Sequence, residues 1–493
     1  MTLAPTSIAM DPAMPHRAHV AEPWSGFGPE AAAAHLRDAH GLVWLDSAMP
    51  HARTGRWSIV ACEPRWTLTA RDRAVTRIED GVARTFDADP VSALAAAIEA
   101  EPRAAAVGML PFVGGAIGYL GFELGRHIER LPATTVDDVC APDLAVAWYD
   151  AALVWDNETN AGYLTGTPEA VAALRSSLAS IPRFPPSSSV APQASLRPFR
   201  SNFTREAYLS SVRRALRYIE AGDIYQVNLS QRFSIPVVED GFTLYRRLRA
   251  VSPAPFAAYL ALGGVEVLSS SPERLLLADA TYIETRPIKG TRPRGVTPAE
   301  DARLAAALRA STKDAAEHVM IVDLERNDLG RIAQVGSVRV PELAALETFA
   351  QVHHLTSTVT ARRRPDVGIE ATLRAIFPGG SVTGAPKIRA LEIIDELEPT
   401  VRGVYTGGIG YVSVHGRIDL NVAIRTITLA GGIAHAHVGG AIVADSDPAA
   451  EYRETLDKAR GMARALGASL PDAVIEAPAP AALPVREPMQ ATR

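Results

Sequence analysis

Cysteine is almost missing from this chain of 493 residues, which has only Cys62 and Cys140. They are too few for a disulfide scaffold and have no metal-ligand spacing. Long apolar runs are missing as well. No stretch approaches the roughly 20 apolar residues that a membrane helix needs, so no membrane association is expected. Pro5, Pro12, Pro15 and His16 stand where a signal peptide would need an unbroken apolar core. The start of the chain therefore reads as a disordered lead-in over residues 1–25, and the cytoplasm is the default location. Nor is there an excess of positive charge: the net charge is −5, which gives no support to nucleic-acid binding. Internal repeats are not evident, and no Ser/His/Asp or Cys/His arrangement has an identifiable signature.

What is present is a globular composition, 47% hydrophobic and 21% charged, in a chain long enough for one large domain or two to four ordinary ones. Residues 26–182 are strand-dominated. Helical patterns occur at 29–40 and 90–101, short strands at 41–47, 55–61 and around Thr67, Val75 and Val82, and a hairpin over 144–165. Residues 112–121 are apolar and glycine-rich, as in a buried strand or turn with close backbone approach. Residues 183–200 contain four prolines and four serines without periodicity and read as a linker. The region 201–469 opens with a helix at 204–221, whose apolar Tyr208, Val212, Leu216 and Ile219 recur at spacing three to four. An alternating strand at 224–233 follows. Its polar positions Gln226, Asn228, Ser230 and Arg232 face either water or a polar cavity. Further helices are expected at 298–309, 312–327, 367–377 and from the turn at 378–386 to Glu398. Three strands lie within 403–444, a last helix reaches about Ala468, and the Ala/Pro-rich tail 470–493 reads as disordered. Strands and helices mix without regular βαβ alternation, so the fold class is α+β with antiparallel sheets.

Residues 286–295, Arg-Pro-Ile-Lys-Gly-Thr-Arg-Pro-Arg-Gly, cannot be helical, because two prolines remove donors and two glycines loosen the backbone. They read as a rigid basic loop leaving a sheet. It is either a solvated turn or an anion-binding loop in which Arg286, Arg292 and Arg294 lower the pKa of Lys289. A lysine made partly neutral in that way can act as a nucleophile.

Other constellations accompany it. Glu451 and Glu454 share one face of the last helix, and Glu317 stands on the helix at 312–327. They are either solvated or a place for Mg²⁺, which takes few protein ligands. The glycine-rich turn at 379–384 opens onto a helix N-terminus, where free N–H groups favour an anion. Arg425 interrupts a hydrophobic strand over 417–429, binding either a ligand carboxylate or a structural partner. Glu273 precedes an apolar run, where burial would raise its pKa toward a useful general acid. His354 is either a structural histidine or a catalytic one.

Taken together, the motifs carry a resemblance. Asp323-Leu-Glu-Arg-Asn-Asp-Leu-Gly330, Phe377-Pro-Gly-Gly-Ser-Val-Thr-Gly-Ala-Pro-Lys387, Tyr405-Thr-Gly-Gly-Ile-Gly-Tyr411 and Gly440-Ala-Ile-Val-Ala-Asp-Ser-Asp-Pro448 resemble the chorismate-utilising enzymes. The resemblance is close over residues 204–468 and looser before them. It implies two large packed antiparallel sheets with outer helices and a substrate cleft between the sheets. It implies Glu317, Glu451 and Glu454 as the Mg²⁺ region, with Arg425 and Tyr405 at the enolpyruvyl carboxylate of chorismate. Gly440 and the turn around Thr383 would supply backbone donors. Glu273 matches the acid that protonates the departing C4 hydroxyl, and His354 the active-site histidine.

Within the family, Gln226 stands where the water-adding branches resemble one another in placing a lysine base. Lys289 is typical of the branch that aminates chorismate at C4 with ammonia from a glutamine amidotransferase partner, toward 4-aminobenzoate and folate. Anthranilate synthases, the alternative, usually carry alanine there. Trp44-Leu45-Asp46-Ser47 with Pro255 and Phe256 resembles the family's tryptophan-binding site, here either a place for bound tryptophan or a structural or vestigial segment.

Overall fold

In the computed structural model, residues 18–49, 53–179, 197–348 and 352–471 are described. They form two twelve-stranded antiparallel sheets. The first runs Val20–Trp24, Ala161–Gly166, Ala151–Asp156, Trp57–Ala61, Val43–Asp46, Phe256–Leu262, Val265–Ser271, Thr426–Ala430, Ile433–Ile442, Gln226–Pro236 and Arg200–Ser201. Gly384–Ala385 adds a short strand beside Gln226–Pro236. The second sheet runs Ile288–Pro293, Val352–Arg362, Tyr282–Arg286, Arg274–Ala278, Ile418–Val422, Gly408–Ser413, Gly115–Leu120, Leu144–Tyr149, Trp66–Arg71, Ala74–Glu79 and Val82–Asp87. Arg339–Thr348 pairs with Val352–Arg362.

The sheets pack over one apolar cluster, which takes Val43, Ile59, Leu260 and Val267 from the first and Ile117, Leu144, Leu276 and Leu420 from the second. A second cluster covers the other face of the first sheet, where Leu229, Phe233 and Leu268 meet the helices Arg205–Glu220, Gly241–Val251, Lys387–Leu397 and Pro448–Leu466. This is the α+β architecture expected. The helix starts follow local chemistry: the side chains of Thr204, Asp240 and Asp447 each accept a first-turn N–H.

Several boundaries differ from the sequence reading. The expected division at residues 183–200 does not separate two sheet systems. Val43–Asp46 pairs with Phe256–Leu262, and Gly115–Leu120 pairs with Gly408–Ser413, so both sheets run through the seam. The lead-in ends earlier than residue 25, because Val20–Trp24 zips onto Ala161–Gly166 as an edge strand. Arg197–Pro198 and Arg200–Ser201, assigned to the linker, are short strands. The remainder of the linker, residues 1–17 and most of the tail lie outside the described residues. The expected strand over 417–429 is two strands in different sheets, so the stretch 403–444 holds four strands rather than three. Helices Pro168–Ala179 and Gly241–Val251 were not anticipated.

Candidate active site

The chain crosses from the first sheet to the second between Ser271 and Arg274, and returns between Val422 and Thr426. These crossings lie side by side. The Val422 N–H donates to the Glu273 carbonyl (3.0 Å) and the Ser270 N–H to the Arg425 carbonyl (3.1 Å). The Ser271 hydroxyl donates to the Val422 carbonyl (2.5 Å). Alternation cannot continue through such a corner, and Arg425 adopts a left-handed φ of +51°. That conformation is strained for a residue with a Cβ. The outcome is that a carboxyl and a guanidinium feel each other at the junction of the sheets. Burial raises the pKa of Glu273, opposed by Ser381, by Lys289, by the Ile288 N–H and by Arg425. Burial also lowers the pKa of Arg425, with Glu273 opposing.

The basic segment is strand rather than loop. Tyr282–Arg286 and Ile288–Pro293 both pair with Val352–Arg362, and the register slips between Lys289 and Thr291 at Gly290, which has φ +78°. A bulge of this kind re-aims neighbouring side chains. Lys289 Nζ reaches the Ser381 carbonyl at 3.2 Å. The three arginines do not act as the sequence reading expected. Arg286 is held by Glu347 and Thr358, Arg292 by Asp314 (2.9 Å) and Arg294 by Asp301 (2.7 Å). Their charges are compensated locally. The amine is nonetheless held below the ordinary lysine value, first by burial and then by Lys458, against the pull of Glu317, Glu273 and Glu454.

The turn after Phe377 forms the floor. Asn228 Nδ2 donates to the Ser381 carbonyl (2.8 Å), and the Asn228 N–H to the Thr383 carbonyl (2.7 Å). Thr383 braces the turn instead of offering donors: its hydroxyl bonds the Gly379 carbonyl (3.0 Å) and its N–H the Gly380 carbonyl (3.3 Å). Gln226 is 0% exposed, and neither its Oε1 nor its Nε2 has a partner among the described residues. Leaving such a group unpaired costs roughly 1–3 kcal/mol, which a ligand with matching polar groups would offset. His354 bonds Thr291 Oγ1 through Nδ1 (2.8 Å), and burial with Arg425 nearby pushes its pKa down to about 3. It is therefore a neutral imidazole. Tyr405 stacks on His437 with centroids 5.3 Å apart, and the next residue, Thr406, donates its N–H to Ala423 beside the second crossing.

The carboxylates approach from the helices. Gly440 lies in Ile433–Ile442, and a Cβ placed on it would stand 3.3 Å from Glu451 Oε2 and 3.5 Å from Glu454 Oε1. Glu451 is buried and accepts from the Ser446 hydroxyl (2.6 Å), whereas Glu454 is half-exposed and pairs with Lys458 (2.7 Å). Glu317 lies on Thr312–Gly330, next to His318, which packs against the Lys289 backbone. Among the described residues, no three His, Cys, Asp or Glu side chains stand close enough to hold a metal by themselves.

Leu45, Ser47, Pro255 and Phe256 come together elsewhere, lining a cavity of about 430 Å³ between the sheets at the seam. Two contributors to the active site escaped the sequence reading. Ser381 lay inside a noted motif, but its role depends on its carbonyl. Arg402 is 3% exposed and bonds Glu398, Val382, Thr406 and Asn228 behind the site. An arginine between Val401 and Gly403 gives no periodic signal.

An amine and an acid that influence each other, a guanidinium at a sheet crossing and helix-borne carboxylates suit a small polycarboxylate. The chain belongs to the chorismate binding enzyme family, whose profile matches residues 45–464. It is 44% identical over 433 residues to aminodeoxychorismate synthase component 1 of Escherichia coli K12, covering 87% of this chain and 94% of that one. It is 41% identical over 450 residues to anthranilate synthase component 1 of Thermus thermophilus, covering 89% and 95%. The crystal structure of anthranilate synthase component I from Streptococcus pneumoniae matches with a TM-score of 0.73 at 33% identity, over 84% of this chain and 94% of that one. The described residues hold no helix long and apolar enough to cross a membrane.

Proposed function

We propose that the chain aminates chorismate at C4 to give 4-amino-4-deoxychorismate. Ammonia would come from a glutamine amidotransferase partner, in a cytoplasmic route to 4-aminobenzoate and folate. The observation that carries this reading is the Lys289 amine, depressed by burial and docked on the Ser381 carbonyl beside the buried acid Glu273. Neutral Lys289 adds at C2 while the ring double bonds shift and the C4 hydroxyl departs. Glu273 donates the proton with which the hydroxyl leaves as water. Ammonia then attacks C4, the double bonds shift back and lysine is expelled from C2. The surplus proton returns to Glu273. Arg425 and Tyr405 hold the enolpyruvyl carboxylate, Gly440 offers backbone to the ring carboxylate, and neutral His354 orients the substrate by hydrogen bonding.

A Mg²⁺ fits this reading. Glu451 and Glu454 converge over Gly440, and Glu317 and Glu454 both act on Lys289. Few protein carboxylates, with water and substrate completing the shell, suit this ion. Glu317 and Glu454 would be direct ligands with Glu451 close behind, and the ion would neutralise the ring carboxylate. The cavity at Leu45, Ser47, Pro255 and Phe256 would take tryptophan.

The relative from Thermus thermophilus supports a second reading, anthranilate and pyruvate formation, at nearly the same identity. Incubating the purified chain with chorismate, Mg²⁺ and ammonium separates the two. Formation of 4-amino-4-deoxychorismate is expected, and anthranilate with pyruvate would overturn the assignment.

A further inference from the structure

Among the described residues the Ser381 carbonyl is the one hydrogen-bond partner of the Lys289 amine, and it is shared. Asn228 Nδ2 donates to the same oxygen at 2.8 Å, closer than the 3.2 Å of Lys289 Nζ. Asn228 is gripped on three sides. Its N–H donates to the Thr383 carbonyl (2.7 Å), its own carbonyl accepts from the Arg402 guanidinium (2.9 Å), and its strand pairs with Ile433–Ile442. Arg402 in turn holds the Val382 carbonyl at 3.0 Å. Three successive carbonyls of the turn, at 381, 382 and 383, are thus pinned by Asn228 and Arg402, and Lys289 joins the first of them.

From this geometry we infer that Asn228 is a positioning residue for the Lys289 amine, acting through the Ser381 carbonyl. The inference rests on the reading of Lys289 as nucleophile. A carbonyl that already accepts a short bond from a carboxamide is a weaker acceptor for an ammonium, so the docked amine is fixed in place without being strongly stabilised in its charged form. Without Asn228, the Ser381 carbonyl is free to close on Lys289 as a full partner. The amine would then be held as an ammonium whose hydrogens, not its lone pair, are directed into the turn. Asn228 would act on the nucleophile without touching the substrate.

The test uses the scarcity of lysine: Lys289, Lys313, Lys387 and Lys458 are the four in the chain. The full chain and its Asn228→Leu variant are exposed, without substrate, to a small acylating reagent. Labelling of each lysine is followed by mass spectrometry, with the other three as internal standards for folding. Labelling of Lys289 relative to the others is expected to fall at least about threefold in Asn228→Leu. In steady state with ammonium, kcat should fall by about tenfold while KM for chorismate stays within about twofold, the pattern of a group that does not bind substrate. An unchanged or faster relative labelling of Lys289 would overturn the inference and leave Asn228 a packing role. The underlying reading is tested separately by Lys289→Ala: undiminished amination there would refute Lys289 as nucleophile, whatever Asn228→Leu does.

Discussion

Around the cavity at the seam, most charged wall residues have compact partners; Arg417, whose buried Nε has none among the described residues, is the exception. Arg274 bonds Asp419 (3.1 Å) and Glu284 (2.8 Å), Arg56 bonds Asp156 (2.8 Å), Asp46 bonds Arg249 (2.6 Å), and Arg53 pairs with Glu342. Around Lys289 the pattern reverses. Gln226 is buried with its carboxamide unpaired, Arg425 has no carboxylate at salt-bridge distance among the described residues, and Glu273 and Lys289 are both shifted toward neutrality. A cavity whose charges mostly cancel suits a ligand of little net charge. A site with uncompensated groups favours a ligand that brings its own carboxylates. The two hollows are next-door neighbours in sequence, since Glu273 belongs to one and Arg274 to the other.

This contrast is sharpest when the active-site groups are removed. Lys289→Ala should produce the largest loss of amination. Glu273→Gln should follow with a loss of roughly 10²–10⁴-fold, the usual contribution of a placed general acid. Product formation from chorismate and ammonium is the measurement for both, and a loss below tenfold in either would contradict the assigned role. Arg425→Ala should act on binding: losing one partner of a buried charge interaction costs about 2–5 kcal/mol, read as a fall in kcat/KM for chorismate.

The pH profile distinguishes the hollows again. As the proposed nucleophile, Lys289 must be neutral, so the rate should rise with pH through its depressed pKa. As the proposed acid, Glu273 must be protonated, so the rate should fall as pH climbs through its raised pKa. Glu273→Gln should erase the high-pH limb and leave the low-pH limb in place. If both limbs persist, another group supplies the proton. His354 is a poor substitute, because at about 3 its pKa keeps it neutral across the working range.

Much of this candidate site was legible in the sequence because its residues sit in motifs whose types suit the proposed chemistry: Lys289, Glu273, Arg425 and the helix-borne glutamates. The even-numbered polar face from Gln226 to Arg232 was visible as a choice between water and a polar cavity. Burial of Gln226, Ser230 and Arg232 rules out a wet face, and Asn228 bonds the Ser381 carbonyl beside Lys289. What was illegible is non-local. Alternation through 417–429 looked continuous, since nothing local marks the place where a strand changes sheets. The arginines beside Lys289 looked like its electrostatic environment, because Glu347, Asp314 and Asp301, which neutralise them, are distant or unremarkable in sequence. The proline-rich stretch looked like a domain boundary, but strands from before it extend both sheets, and pairing partners leave no local trace.

The smallest effect is expected at the seam cavity. Leu45 lines it, and Leu45→Trp would place an indole into about 430 Å³ of open space. Overpacking is avoided because the volume is already empty. Tryptophan binding, followed by calorimetry, should disappear in this variant. Amination should change by less than about threefold, because sites without shared partners act nearly independently. The link that could defeat this expectation is covalent: Arg274 walls the cavity, and its backbone neighbour Glu273 is the proposed acid. Arg274 is clamped by Asp419 and Glu284 on either side, so filling the cavity should leave its position, and that of Glu273, unchanged. A fall of tenfold or more in amination by Leu45→Trp would show that the clamp yields and that the two hollows work as one.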